Sequence, residues 1–439
     1  MLDFYDFHNE SVADAICHFC RAVKSYTKGA LLTGAFYGYV FSMPQNYKGL
    51  HALGRVLESP YVDFLSTTNA GIGWHFASAV ESALMHGKMW ICEGDIRTHK
   101  TSGMDKNLAH AMPDNDYYKS RVWRGPDNAE EGVWRMRKAL ARLLTTPTGI
   151  WWFDMFGGWY DDPLLLDVIK RSTELIALPR HELLNSEVAL IVDEHGHKYT
   201  SLDAKGMPKA LLEFNDALDR AGFPYDNYLL SDVLSESFPA DKYKLIIFLA
   251  ATNPTDAEIA AIKAKLKRDG KTLLFLGDSG AYAESLSEFK LITNRSAEEK
   301  VAIFNNIRYP ENVMPTHELI DAEGYVLSRF EDGTPAVVWK ECDGYNTVEA
   351  LPLAIPRELI SHIALLSGVH LFNRDGDIAY AGGDFIGIRA SAEGYRRLCL
   401  PDRYFTAYDA LSGETVTVND CFIDMYLKEG EVRILRLSK

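Results

Sequence analysis

The chain has 439 residues, of which 47% are hydrophobic, 12% aromatic and 24% charged, a balance that excludes a mainly disordered polypeptide. Its 46 Lys and Arg against 61 Asp and Glu leave a net charge of −15, which argues against general binding to nucleic acid or an anionic membrane, since both need a cationic face. A neutral ligand is compatible with that charge, and at about 150 residues per domain the length predicts about three domains.

The first ~180 residues alternate helix with strand. Val12, Ile16, Phe19, Cys20 and Val23 fall on one face of a helix over 10–26, closed by Gly29. Strands are expected over 30–40, Tyr61–Ser66, Lys88–Cys92 and Gly149–Met155, with helices over 74–86, 128–145 and 161–177 between and after them. This β/α alternation predicts a parallel sheet. Four strands cannot close an eight-stranded (β/α) barrel, which takes about 250 residues, so the segment is either a small open sheet or half of a barrel.

A second β/α region has strands at Glu187–Val192, Lys244–Ala250 and Lys271–Leu276, and helices over 205–221, 256–269 and 357–367. It reads as an open, doubly wound, flavodoxin-like sheet. From about Val369 the pattern changes to short β segments, among them Phe385–Ile388, Thr415–Val418, Met425–Leu427 and Val432–Leu435, which predict a small all-β module. The expected division is 1–182, 183–368 and 369–439.

No run of about 18 apolar residues exists to span a membrane, and the start of the chain has neither the basic nor the apolar region of a signal peptide. Cys17, Cys20, Cys92, Cys342, Cys399 and Cys421 are too sparse for a disulfide scaffold and fit a reduced, cytoplasmic setting. Cys17 and Cys20 match C-x-x-C but lie in the first helix pattern, where they read as helix thiols. No cofactor or metal is expected.

In parallel β/α folds, functional side chains gather at the C-terminal ends of strands. Those positions hold Tyr37 and Tyr39 after the first strand, and Asp63 in the second with Thr67, Thr68 and Asn69 after it. Glu93, Asp95, Arg97 and His99 follow the third strand, and Trp151, Trp152, Asp154 and Trp159 lie on or after the fourth. Carboxylates among tryptophans, tyrosines, Asn, His and Arg suit a carbohydrate, because aromatic faces stack on its C–H surfaces and polar groups fix its hydroxyls. Glu93 is the sharpest candidate: a carboxylate at a strand tip can attack an anomeric carbon. The structural alternative is an N-cap or an ion-pair partner for Arg97. Asp154 either orients the nucleophile or is a structural acceptor. Trp151 and Trp152 point to opposite faces of their strand, so one at most lines a pocket.

The strings Gly34–Tyr39, Ser59–Leu65, Trp90–Thr98 and Trp151–Met155 resemble strands five to eight of clan A glycoside hydrolases, the family 42 β-galactosidases above all. The resemblance extends over the whole chain, with residues 187–367 similar to that family's α/β trimerisation domain and the end similar to its small β domain. It implies a partial TIM barrel (strands five to eight only), a retaining β-galactosidase-like activity on a carbohydrate substrate, and a homotrimer. Glu93 matches the nucleophile by position, with Tyr37, Tyr39, Asp63, Asn69, Arg97, His99, Trp151, Asp154 and Trp159 as substrate-binding candidates. The family's acid/base is a Glu in an Asn-Glu pair ending strand four. Asn9-Glu10 matches it in letters only, and Glu10 reads as a charge opening the first helix. The expectation is therefore a chain lacking the first half of the barrel, either a weak glycosidase or a non-catalytic sugar-binding or oligomeric scaffold.

Three other motifs read as structural. Gly277-Asp278-Ser279-Gly280 spells a serine-protease tetrapeptide but follows a parallel strand, as a turn would. Cys342 lacks the strand–helix elbow of a glutamine amidotransferase nucleophile. Asp193, His195 and His197 form a polar loop rather than a metal site, which in the family reading borders the active site or a subunit contact.

Overall fold

The computed structural model describes all residues except 42–45, 69–75, 102–124, 155–156, 200–205, 250, 278, 294–298, 314–316, 320–322 and 403–405. Helix α1 (Leu2–Thr27) begins eight residues before the apolar periodicity that announces it and ends where Lys28 turns left-handed, with Gly29 N–H on Lys24 O at 2.8 Å. Glu10 therefore lies inside α1 rather than at its start, 3.8 Å from Arg55. Asn9 is 4% exposed and accepts the His51 N–H at 2.8 Å, which gives this residue a structural role.

Four strands follow: β1 (Gly34–Phe36), β2 (Phe64–Ser66), β3 (Met89–Glu93) and β4 (Gly149–Trp151), parallel and adjacent in sequence order. β1, β2 and β4 are each shorter than the expected strand, while β3 keeps its five residues shifted by one. Between them lie α2 (Leu53–Leu57), α3 (Val80–Met85) and α4 (Ala129–Thr145), and α5 (Pro163–Ile176) follows. Asn128 caps α4 through Glu131 N at 2.9 Å, and Asp162 caps α5 through Leu164 N at 2.9 Å with Pro163 in the first turn. Residues 74–75 of the expected 74–86 helix lie outside the described residues.

The next region is built on β5 (Val188–Val192), α6 (Gly206–Asp219), β6 (Asp226–Leu229), β7 (Leu245–Leu249), α7 (Asp256–Lys265), β8 (Lys271–Leu276) and α8 (Ala283–Leu286). It continues through β9 (Leu291–Thr293), β10 (Lys300–Phe304), β11 (Ile307–Val313), β12 (His317–Leu319), β13 (Tyr325–Phe330), β14 (Pro335–Cys342), β15 (Tyr345–Ala350) and α9 (Arg357–Leu366). Its sheet has nine strands in the order β11-β10-β13-β14-β15-β8-β7-β5-β6. The five parallel ones, taken in chain order, stand 2-1-3-4-5, the order of flavodoxin-like sheets. The antiparallel extension β11-β10-β13-β14 has no counterpart in the sequence reading, nor has the separate pair β12-β9. Its turn signals were present: Asn305-Asn306, both at positive φ, joins β10 to β11, and Asp343-Gly344 joins β14 to β15.

The last region holds β16 (Ile378–Gly382), β17 (Phe385–Arg389), β18 (Gly394–Cys399), β19 (Thr406–Asp409), β20 (Thr415–Val416), β21 (Phe422–Leu427) and β22 (Val432–Ser438), in sheets β16-β17-β22-β19-β20 and β18-β21.

The hydrophobic cores cross the expected boundaries. One runs from Leu53, Leu65 and Trp90 into Val188, Phe214 and Leu245. Another packs Leu140, Ala141 and Leu144 of α4 on Tyr380, Phe385 and Ile434. Polar contacts reinforce the first junction. Helix α3 lies along the free edge of β6, where Asn227 N–H donates to Glu81 Oε2 at 2.7 Å and Leu229 N–H to Ser82 Oγ at 2.9 Å. These alternate N–H groups would be unpaired on an open edge. His86 and Asp232 meet at 2.9 Å beside them.

Candidate active site

Glu93 ends β3. Its N–H donates to Thr67 O at 3.0 Å, and Thr68 bridges to it in parallel pairing, so the tips of β2 and β3 are level. Gly94 follows closely against β4: its N–H meets Trp151 O at 2.8 Å, and a Cβ there would lie 2.9 Å from the same oxygen. The Tyr160 hydroxyl donates to Gly94 O at 2.8 Å, which ties the loop after β3 to the loop after β4.

The Glu93 side chain is 8% exposed and accepts no hydrogen bond among the described residues. Burial pushes its carboxyl up from the ordinary value, and the Arg97 charge opposes that. Arg97 is itself buried, pairs with Asp95, and stacks with its guanidinium carbon 4.5 Å from the Trp159 ring centroid. Asp154 Oδ2 accepts the Trp159 N–H at 3.0 Å, so that carboxylate holds the loop bearing the stacked indole. Thr68 N–H donates to the Tyr39 hydroxyl at 3.3 Å, and the phenol is raised by burial above all, with the Glu93 charge adding to it. Among the described residues Glu93 caps no helix and the ion pair of Arg97 is with Asp95, while the Arg97 charge still acts on the Glu93 carboxyl.

Trp151 projects from β4 with 40% of its surface exposed, edge-on to Phe36 of β1 at 6.2 Å and to Phe153 at 5.3 Å between ring centroids. Trp152 turns the other way, against Tyr160 at 5.8 Å. The two sides of the strand thus divide as the alternation requires.

Three sequence candidates lie apart from this group. Tyr37 is 1% exposed and its hydroxyl accepts the Ala52 N–H at 3.2 Å, in the junction with the second region, where burial and then Glu194 raise it. Gly38, at φ 88, turns the chain between Tyr37 and Tyr39 and sends them to different places. Asp63 stands at the opposite end of β2, accepting Thr33 N–H at 2.7 Å and pairing with Lys24 at 2.5 Å. His99 contacts Asp162 Oδ2 at 3.1 Å and so braces the start of α5. Asn69 lies outside the described residues.

The sequence reading missed Glu194. This buried carboxylate follows β5 and accepts the N–H groups of Leu53 at 2.5 Å and Gly54 at 3.0 Å, capping α2 from the other region. Nearby, Lys198 reaches Asp6 at 2.8 Å. The Asp193–His197 loop therefore joins the two α/β units. Ser279 is 1% exposed and donates to Glu349 at 2.6 Å, as a turn residue would, and Asp278 lies outside the described residues. All six cysteines are free thiols. Among the described residues there is no metal-ligand cluster and no helix long and apolar enough to cross a membrane.

No protein-family model matches the sequence, and no curated protein matches it. Solved structures do resemble the fold. The β-galactosidase of Rahnella sp. R3 superposes with a TM-score of 0.61 at 12% identity, covering 100% of this chain and 68% of that one. A GH42 β-galactosidase from G. stearothermophilus gives 0.55 at 12% identity, covering 99% and 76%. The α-L-fucosidase isoenzyme 2 of Paenibacillus thiaminolyticus gives 0.53 at 12% identity, covering 91% and 67%. The chain has a GH42-like α/β fold and spans 67% to 76% of the length of these three structures.

Proposed function

We propose that this chain carries the nucleophile side of a retaining glycosidase site for O-glycosides of the β-galactoside type, with Glu93 as the nucleophile. The observation that carries the reading is the Glu93 carboxylate itself: nearly buried, at the C-terminal tip of a parallel strand, and without a hydrogen-bond donor among the described residues. Most carboxylates at 8% exposure are paired with a donor. One left without donors pays a desolvation cost that a reacting group can use.

In the proposed step, a Glu93 oxygen forms a bond to the anomeric carbon as the bond to the aglycone oxygen breaks, and the leaving oxygen departs with the electron pair. Water then cleaves the glycosyl ester. Arg97 and Trp159 hold the wall behind the carboxylate, Asp154 positions Trp159, and Tyr39 sets its hydroxyl beside the strand tips. The exposed Trp151 indole is the stacking face for a sugar ring. The sequential parallel order β1-β2-β3-β4 supports reading this sheet as half of a (β/α)8 barrel. The flavodoxin-like order of the second sheet supports an oligomerising, trimer-forming unit over 183–368, with a β domain after it.

The test is turnover of 2,4-dinitrophenyl β-galactoside, whose phenolate leaves without protonation and so isolates the nucleophile. Release of dinitrophenolate is expected, falling about 10³-fold or more in Glu93→Gln. Equal release by both proteins would remove Glu93 from the reaction. Absence of release with galacto, gluco and manno substrates would leave a sugar-binding scaffold as the function of this fold.

A further inference from the structure

We infer that a cleft lined by none of the residues around Glu93 is a binding site for a phosphoryl or comparable dianionic group. It has a volume of about 280 Å³ and is bounded by the first turns of α9, the residues after α6, the β10–β11 turn and the Asn373–Asp377 turn that leads into the last region. Three arginines line it: Arg220, Arg357 and Arg374. One lining carboxylate, Glu358, stands against them, with Asp216 and Asp375 just outside the lining, so the lining itself carries an excess of positive charge in a chain whose net charge is −15. Ser361 and His362 add polar groups along the α9 face.

Two of the guanidiniums are held in place. Arg220 Nε donates to Gly376 O at 3.1 Å, with its nearest carboxylate, Asp216, 3.5 Å away. Arg357 pairs with Glu358 at 2.8 Å and packs over Gly376, in space that any Cβ there would occupy. The third is presented rather than paired. Asn373, 1% exposed, accepts the N–H groups of Asp375 at 2.9 Å and Asp377 at 3.1 Å, and this rigid turn carries Arg374 at its tip. The Arg374 side chain is exposed and makes no hydrogen bond or ion pair among the described residues. The start of α9 adds its positive end, since the residue at its N-cap is Pro356, which offers no capping side chain.

Guanidinium forks match the oxygens of phosphate, and the unpaired Arg374 is the one free to receive them. The volume suits a small metabolite rather than a polymer. Because Arg220 and Arg357 belong to the nine-stranded region and Arg374 to the turn into the last region, a bound dianion ties the two together. This inference does not rest on the glycosidase reading.

The experiment is calorimetric titration of the full chain at low ionic strength with inorganic phosphate, glucose 6-phosphate and glucose. Saturable binding of the phosphate-bearing ligands at one site is expected, weakened about tenfold or more in Arg374→Glu and less in Arg374→Gln, with glucose silent. Tighter binding of glucose 6-phosphate would assign a phosphorylated metabolite, and equal binding the free anion. Among the described residues Arg374 has no hydrogen bond or ion pair to lose, so both variants should melt like the parent without ligand. No saturable binding by the parent, or affinities unchanged in both variants, would overturn the site.

Discussion

The two parallel sheets of this chain are held together differently. In the nine-stranded sheet, every residue of β5, β7 and β8 is buried, and the free edge of β6 is covered by α3. In the four-stranded sheet, β1 and β4 each bury their residues only in part, leaving Phe36 48% and Trp151 40% exposed. Among the described residues, β1 pairs only with β2 and β4 only with β3. The two sheets share one hydrophobic core, and the nine-stranded sheet takes the cover of its β6 edge from α3 of the first region. The sheet that carries the candidate nucleophile is the one with open edges and exposed aromatics, as a ligand-facing surface would be.

The largest expected difference is in core truncation. Phe248→Ala, at a position 0% exposed and stacked on Phe275, should cost about 3–5 kcal/mol in denaturant unfolding, while Phe36→Ala should cost less than about 1 kcal/mol. Equal costs would mean that the first sheet is as tightly packed as the second.

Next comes the junction. Glu194→Ala removes the acceptor of two α2 N–H groups and should cost about 2–3 kcal/mol, with hydrogen exchange rising first in α2 and β1. Uniform exchange across both sheets would show that the loop is not what couples them.

The same junction should loosen as pH rises. Burial, then the neighbouring Asp226, pushes the Glu81 carboxyl up to about 8, and the bond to Asp232 raises His86. Both groups hold their protons more tightly in the folded state. Glu81 thus contributes a penalty that grows from its ordinary value of 4.5 toward 8, and His86 a gain that is full below 6.5 and lost above it. Melting curves should show stability declining across pH 5–8 by on the order of 2 kcal/mol, with much of the slope removed in Glu81→Gln. A slope unchanged in that variant would clear Glu81 of the effect.

The smallest effect is at the site. A carboxyl raised by burial destabilises the fold once it ionises, so Glu93→Gln should melt above the parent at neutral pH, with no gain below the ordinary carboxyl value of 4.5. A destabilised variant would mark Glu93 as a structural group.

Strands buried on both faces were legible to within a residue or so, because EVALIV, KLIIFLA and KTLLFL read as unbroken apolar runs. The antiparallel β10–β14 mixes polar with apolar residues, and only its turn pairs announced it. Glu93 was legible because it directly follows an apolar strand. Asp63 was expected within a strand over Tyr61–Ser66, but the strand begins at Phe64, so Asp63 stands just before it, at the end away from Glu93. Tyr37 and Tyr39 were separated by a backbone turn at Gly38 that residue spacing does not encode. The contacts of Glu194 with α2 and of Glu81 with β6 join residues more than 100 positions apart, beyond the reach of local pattern.

The most direct test of the central claim is to incubate the chain with an activated 2-deoxy-2-fluoro-β-galactoside and map the labelled peptide by mass spectrometry. The account predicts a gain of one fluorosugar, carried as an ester on Glu93 and absent in Glu93→Gln. Label on any other residue, or no label with galacto, gluco and manno reagents alike, would contradict it.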